Sequence, residues 1–123
     1  MDFGKLIIIG GSVKITPVNG TVWLTKHEIA DLFECFVSKA GSNISAILQA
    51  GLLDEDKVCH RHTFESGSFV ELYNLEMISA LAFRVRSRNA ELFRGWLIEL
   101  AVQKQSDRRA SAFILWSDEI FLN

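Results

Sequence analysis

The chain has 123 residues, of which 49% are hydrophobic and 23% are charged, and its formal net charge is −2. This length suits one folded domain with its own core, and the hydrophobic content excludes a disordered regulator. The slight negative charge excludes a global positive field that would draw the protein onto nucleic acid, so any such binding has to be local.

The first turn signals lie near the amino terminus. Residues 5–9 and 12–17 have strand-like sequences and flank Gly10-Gly11, a pair that favours a tight hairpin turn. Asn19-Gly20 predicts a second turn, which leads into the apolar run 22–24. We therefore expect a small sheet ahead of the helices.

The next segment predicts two helices joined by a tight turn. Thr25 and Glu28 have the spacing of a capping box, so a helix should begin at Lys26. A second helix is expected over residues 37–49, where Gly51 follows as a terminator. Inward-facing positions of the pair are Ile29, Leu32, Phe33, Ile44, Ile47 and Leu48. This is helix-turn-helix geometry.

The second helix of a helix-turn-helix enters the major groove of DNA and presents its first turns to the bases. Asparagine can bond adenine with two hydrogen bonds, serine can donate to base or phosphate, and lysine can pair with phosphate. The residues expected to face the groove are Ser38, Lys39, Ser42, Asn43 and Ser45.

Charge favours a second interpretation of the same helices. Residues 25–49 hold two basic and three acidic side chains, a sum of −1, so the pair contributes little of the phosphate neutralisation on which DNA affinity depends. A helical hairpin that serves as scaffold or as a protein-binding surface is the alternative.

Two strands over residues 58–64 and 68–73 flank Glu65-Ser66-Gly67 and predict a hairpin after the helix pair. A hairpin in this place is a wing, which can lie along the sugar-phosphate backbone and present Arg61 to it, with His60 and His62 beside it. The predicted fold is α+β, with a small amino-terminal sheet, a winged helix-turn-helix and two helices after it.

Asn74 is placed to cap a third helix whose apolar stripe extends to Val85, with a break near Ser87. A fourth helix is predicted over residues 89–105, with an apolar face that suits core or a dimer seam. Residues 106–123 form a tail that is apolar from residue 111, so we expect it to pack on its own domain or on a second copy. The whole chain, 1–123, is predicted to be one domain.

Positive charge is concentrated in residues 84–109, which hold seven basic and three acidic residues, whereas the remainder sums to −6. Such asymmetry suits a phosphate backbone, an acidic partner, self-association or a merely solvated face. Arg84 should stabilise the end of the third helix, and Arg94 should be partly buried and paired. Lys26, Arg86 and Arg88 are the further residues expected on phosphates.

Other chemistry receives little support. Cys59, His60 and His62 lack the fourth ligand and the spacing of a zinc site, and no nucleophile motif or phosphate-binding glycine loop is present. We therefore expect no catalytic residues, metal, cofactor or small-molecule substrate. Two cysteines are too few for a disulfide framework, and the apolar run 6–9 is too short for a signal core or membrane span. A cytoplasmic location without membrane contact is expected.

Several blocks resemble a known family. They are Thr21-Val22-Trp23-Leu24-Thr25, Ile29-Ala30-Asp31-Leu32-Phe33, Leu53-Asp54-Glu55, Tyr73-Asn74-Leu75, Arg84-Val85-Arg86-Ser87 and Phe93-Arg94-x-Trp96. Over residues 20–102 their order and spacing resemble the RhuM-type virulence-associated proteins of bacteria. Members of that family typically have glycine in the turn and several basic or polar residues in the second helix, whereas this chain has Glu34, Cys35, Phe36 and Val37, followed by Ala40, Gly41 and Ser42. The resemblance implies a DNA-binding or phage-antirepressor-like protein.

Two hypotheses follow. The first is a bacterial transcriptional regulator or antirepressor-like module, without enzyme activity, that binds double-stranded DNA as a homodimer joined through the last helix and tail. The second is a protein-interaction or dimerisation module that has the same fold and binds no DNA.

Overall fold

The computed structural model describes the backbone of residues 2–121 and the side chains of residues 2–105. Its fold is α+β, as predicted. The elements in chain order are β1 (Lys5–Ile9), β2 (Ser12–Thr16), β3 (Leu24–Thr25), α1 (Lys26–Leu32), α2 (Val37–Gln49), α3 (Glu55–Val58), β4 (Cys59–Thr63), β5 (Phe69–Tyr73), α4 (Leu75–Ala82) and α5 (Arg88–Phe121).

The first hairpin is confirmed. β1 and β2 pair antiparallel, with Ile9 opposite Ser12, and the two turn glycines both have positive φ values of 58° and 78°. Such angles favour glycine in a two-residue hairpin turn. β2 ends at Thr16, one residue earlier than predicted, because Pro17 has no N–H to donate.

The capping box at the start of α1 is also confirmed. The Glu28 N–H donates to the Thr25 hydroxyl over 3.1 Å, and the Thr25 N–H donates to the Glu28 carboxylate over 3.0 Å. Only Leu24 and Thr25 of the preceding segment are strand, and Leu24 pairs with Tyr73 of β5. The backbone N–H of Trp23 instead donates to the carbonyl of Phe3, outside the sheet.

The turn between α1 and α2 forces Glu34 into a left-handed backbone conformation with φ of +53°. The Glu34 N–H donates to the Asp31 carbonyl and the Cys35 N–H to the Ala30 carbonyl, the two bonds of a Schellman motif. Glycine is strongly favoured at that position because a Cβ atom raises its energy. Glu34 therefore stores strain in the turn that separates the two helices.

We expect Glu34→Gly to raise the free energy of unfolding by about 1 kcal/mol, because glycine adopts the left-handed conformation without strain. Asp31→Gly is the matched control, since it removes a carboxylate from the last turn of α1 without relieving any backbone strain. Its stability should change by no more than about 0.3 kcal/mol, the difference in helix propensity between aspartate and glycine. Urea denaturation measures both changes. A loss of stability in both variants would show that Glu34 is not strained.

α2 has the predicted bounds and ends in the same type of motif. Gly51 has a φ of +71°, its N–H donates to the Leu48 carbonyl, and the Leu52 N–H donates to the Ile47 carbonyl. The wing follows, with β5 between β3 and β4 in a three-stranded antiparallel sheet. The wing strands therefore connect directly to the strand that enters α1.

The last two helices differ from the prediction at their ends. Asn74 caps α4 by accepting from the Met77 N–H, but α4 ends at Ala82, before the buried Val85. α5 continues through Phe121, so the predicted end at residue 105 is wrong. Docking of the apolar residues 111–123 depends on side chains that lie outside the described ones.

The hydrophobic core joins all the helices to the sheets. Phe33 from the end of α1 and Phe93 from α5 are both fully buried, with ring centroids 5.6 Å apart in an edge-to-face arrangement. Leu6 of β1, Ile47 of α2 and Met77 of α4 belong to the same buried cluster. The helix-turn-helix is thus fixed to α5 through its turn.

Candidate nucleic-acid interface

One face of α2 is polar and open to solvent. Ser38, Ser42 and Ser45 are exposed and recur with the spacing of one helical stripe, and Lys39 is exposed beside them. The Ser42 hydroxyl donates to the Lys39 carbonyl over 3.1 Å, which leaves its oxygen able to accept. The structure therefore brings four of the five residues predicted to face the groove onto an exposed surface.

Asn43 is a correction to that prediction, because only 9% of it is exposed. Its Nδ2 donates to the Lys39 carbonyl over 3.0 Å, and its Oδ1 accepts from Nε of Arg84 over 2.9 Å. The amide is therefore engaged on both sides and does not face the groove. Buried Ala40 and Ile47 lie three residues before and four residues after Asn43, and this stripe was a signal that Asn43 faces inward.

Lys26 lies beside the first turns of α2. A Cβ atom built on Gly41 would be 3.2 Å from Cδ of Lys26 and 3.6 Å from its Nζ. Because Gly41 has no side chain, the aliphatic part of Lys26 fits against α2, and the ammonium group lies on the α2 side of α1.

The acidic residues of α1 lie on its other side. Glu28 and Asp31 line a groove against β1, together with Leu6 and Leu32. The charge sum of −1 for residues 25–49 is misleading for this reason, since two of its three acidic side chains line the groove against β1. Among residues 25–49, Glu34 in the turn is the one acidic residue outside that groove.

The link between α4 and α5 adds arginines to the same neighbourhood. Arg84 is exposed, and its Nε donates to Asn43 of α2. The sequence predicts only that Arg84 stabilises the end of α4, so this bond to α2 is an additional contact. Arg86 is exposed two residues further along the link. The contact with α2 is made by Arg84, a residue that sequence reasoning had not assigned to the site.

The backbone of this link is held by two further side chains. Nη1 of Arg94 donates to the carbonyls of Ala82 and Val85 over 2.6 and 3.0 Å, and Nδ2 of Asn89 donates to the Leu32 carbonyl over 2.9 Å. Arg94 is half-buried as predicted, but its partners are carbonyls rather than an acid. These bonds fix the link relative to α1 and to the end of α4.

Arg88 and Arg61, which the sequence also predicts on phosphates, have neighbours outside α2. Arg88 lines a groove of about 630 Å³ between the turn of the first hairpin and α5, beside Glu91 and Trp96. On the wing, Arg61 lies 3.5 Å from the Glu71 carboxylate and 4.0 Å above the Phe69 ring. Glu71 therefore offsets the Arg61 charge, and the wing offers less positive potential than its sequence indicates.

The cysteine and histidine residues of the wing are in packing positions. His60 contacts Trp23, and His62 contacts Phe3 and Phe64, all in edge-to-face geometry. Burial raises the pKa of the Cys59 thiol, and the Glu71 carboxylate raises it further. In the part of the chain with described side chains, no three of the potential metal-ligating groups come together.

Comparisons with protein-family models, curated proteins and solved structures give no match for this chain. Within the described residues, no helix has both the length and the apolar character needed to cross a membrane.

Proposed function

We propose that this protein is a DNA-binding regulator that places α2 in the major groove of duplex DNA. The observation that carries the proposal is the separation of charge around α1, with Lys26 on the α2 side and Glu28 and Asp31 against β1. The exposed serine stripe of α2 supplies short polar side chains that fit against bases and phosphates.

Cations without acidic partners lie on α2 and on the segments that adjoin it. Among residues 2–105, one ion pair has an N···O distance within 4.0 Å, and it joins Arg61 to Glu71. None of the four cations of the α2 region takes part in it. Those cations are Lys26, Lys39, Arg84 and Arg86. Unpaired surface cations can exchange bound water and counterions for phosphate, which is the main source of DNA affinity.

The resemblance to RhuM-type proteins supports the same proposal and extends it to a bacterial, cytoplasmic regulator or antirepressor-like module. In this reading the homodimer forms through α5. A dimer suits helix-turn-helix proteins because two copies of the second helix can occupy successive major grooves.

A second candidate function is a protein-interaction module, favoured by the far part of α5. Every residue from 98 to 105 is exposed, and three of them are large apolar residues: Ile98, Leu100 and Val102 are 54%, 39% and 59% exposed. A helix that is exposed on all sides gains no stability from packing, so this segment is expected to pair with another helix.

Fluorescence anisotropy with a labelled mixed-sequence duplex, together with light scattering for the mass, distinguishes the two functions. The first function predicts binding at low salt that weakens steeply near physiological salt, because each phosphate contact adds about 0.9 to the slope of log K against log salt. A folded dimer that does not bind the duplex even at low salt would contradict it and favour the second function.

A further inference from the structure

We propose that Arg84 is a phosphate-binding residue of the α2 surface and that Asn43 is the residue that positions it. This inference rests on the proposed function and adds a contact to it. It depends on a polar bond between residues 41 positions apart, from the interior of α2 to the link that precedes α5.

The orientation of the Asn43 amide is determined by its surroundings. Nδ2 donates to the Lys39 carbonyl, and this bond leaves Oδ1 as the atom that faces Nε of Arg84. The opposite orientation would place two oxygens together at Lys39 and two donors together at Arg84. A buried amide with both groups satisfied is rigid, so it holds the guanidinium in one position.

Only one edge of the Arg84 guanidinium is used in this bond. Nε donates to Asn43, and in the described part of the chain the structure shows no acceptor for its two Nη groups. A guanidinium held in this way can donate from both Nη groups to the oxygens of one phosphate. The residue is exposed, so a phosphate can reach it.

The position of the Arg84 backbone is also fixed before any ligand binds. Arg94 bonds carbonyls on both sides of Arg84, at Ala82 and Val85, and Asn89 ties the start of α5 to the Leu32 carbonyl. A long side chain loses conformational freedom when it binds, and part of that loss is avoided here because the free protein already holds it.

Four variants test the pair: Arg84→Ala, Arg84→Lys, Asn43→Ala and the double variant Asn43→Ala/Arg84→Ala. The measurements are duplex affinity, its salt slope and the melting temperature. Arg84→Ala should weaken binding roughly tenfold and lower the slope by about 0.9, because one phosphate contact is lost. Arg84→Lys should retain the slope but still bind more weakly, since an ammonium cannot serve Asn43 and a phosphate in the same geometry.

The double variant distinguishes a role of Asn43 in positioning Arg84 from a role in the stability of the fold alone. Asn43→Ala should weaken binding in the wild-type background and have no further effect when Arg84 is already alanine. Lys14→Ala, an exposed cation on β2, is the control that should change affinity least. If Asn43→Ala fails to fold, the two Arg84 variants still decide whether Arg84 binds phosphate.

The outcomes separate this inference from the proposed function. A wild-type protein that binds DNA, with Arg84→Ala equal to Lys14→Ala, overturns the role of Arg84 alone. Equal losses for Asn43→Ala in both backgrounds overturn the positioning role of Asn43. No binding by the wild-type protein overturns this inference and the proposed function together.

Discussion

Replacing Lys26, Lys39 and Arg86 together with alanine is expected to weaken duplex DNA binding by roughly 100-fold at low salt. The three residues are cations of the α2 surface without acidic partners among the described side chains. Each lost phosphate contact should lower the slope of log K against log salt by about 0.9, so the triple variant should lose about 2.7. Anisotropy titrations at several salt concentrations measure both quantities.

The control for this variant is Arg61→Ala/Arg88→Ala. Both arginines are exposed, but Arg61 is paired with Glu71 and Arg88 lines the groove beside α5. We expect this double variant to change the slope much less than the triple variant does. An equal effect of the two would show that binding follows total charge and does not depend on the α2 surface.

The second large effect is on stability, and it concerns the turn of the helix-turn-helix. Phe33→Ala should lower the free energy of unfolding by about 3–5 kcal/mol, because it leaves a cavity beside Phe93 in the core. Urea denaturation, followed by tryptophan fluorescence and by circular dichroism, measures the loss.

Phe36→Ala is the matched control for that loss. Phe36 is three residues further along the chain and 83% exposed, so its removal should change stability by less than about 0.5 kcal/mol. A similar loss in both variants would contradict the packing of α1 against α5 through Phe33.

Local signals in the sequence predicted most of the backbone. The Gly10-Gly11 turn, the capping box of Thr25 and Glu28, and the Gly51 terminator each fix a few neighbouring residues by hydrogen bonds and φ angles. Such features depend on residues within about four positions of one another, so the local sequence is sufficient to predict them. The end of α2 at Gln49 was predicted correctly for this reason.

The candidate site was harder to predict because its contacts join distant residues. Asn43 has the chemistry of a base-reading residue, and although its apolar neighbours in α2 indicate an inward position, only the tertiary structure shows that it is bonded to Arg84. The sequence places Arg88 in the same basic run as Arg86, yet Arg88 lies beside the first hairpin. A local charge sum likewise cannot show which side of α1 its acids occupy.

The most direct test of the α2 surface is an amide ¹H–¹⁵N spectrum of the labelled protein during titration with a mixed-sequence duplex at low salt. We expect the largest shifts at residues 38–45 and 84–86, with small shifts in β1 and β2. Shifts confined to residues 98–105 or to the first hairpin, with the α2 amides unchanged, would contradict it.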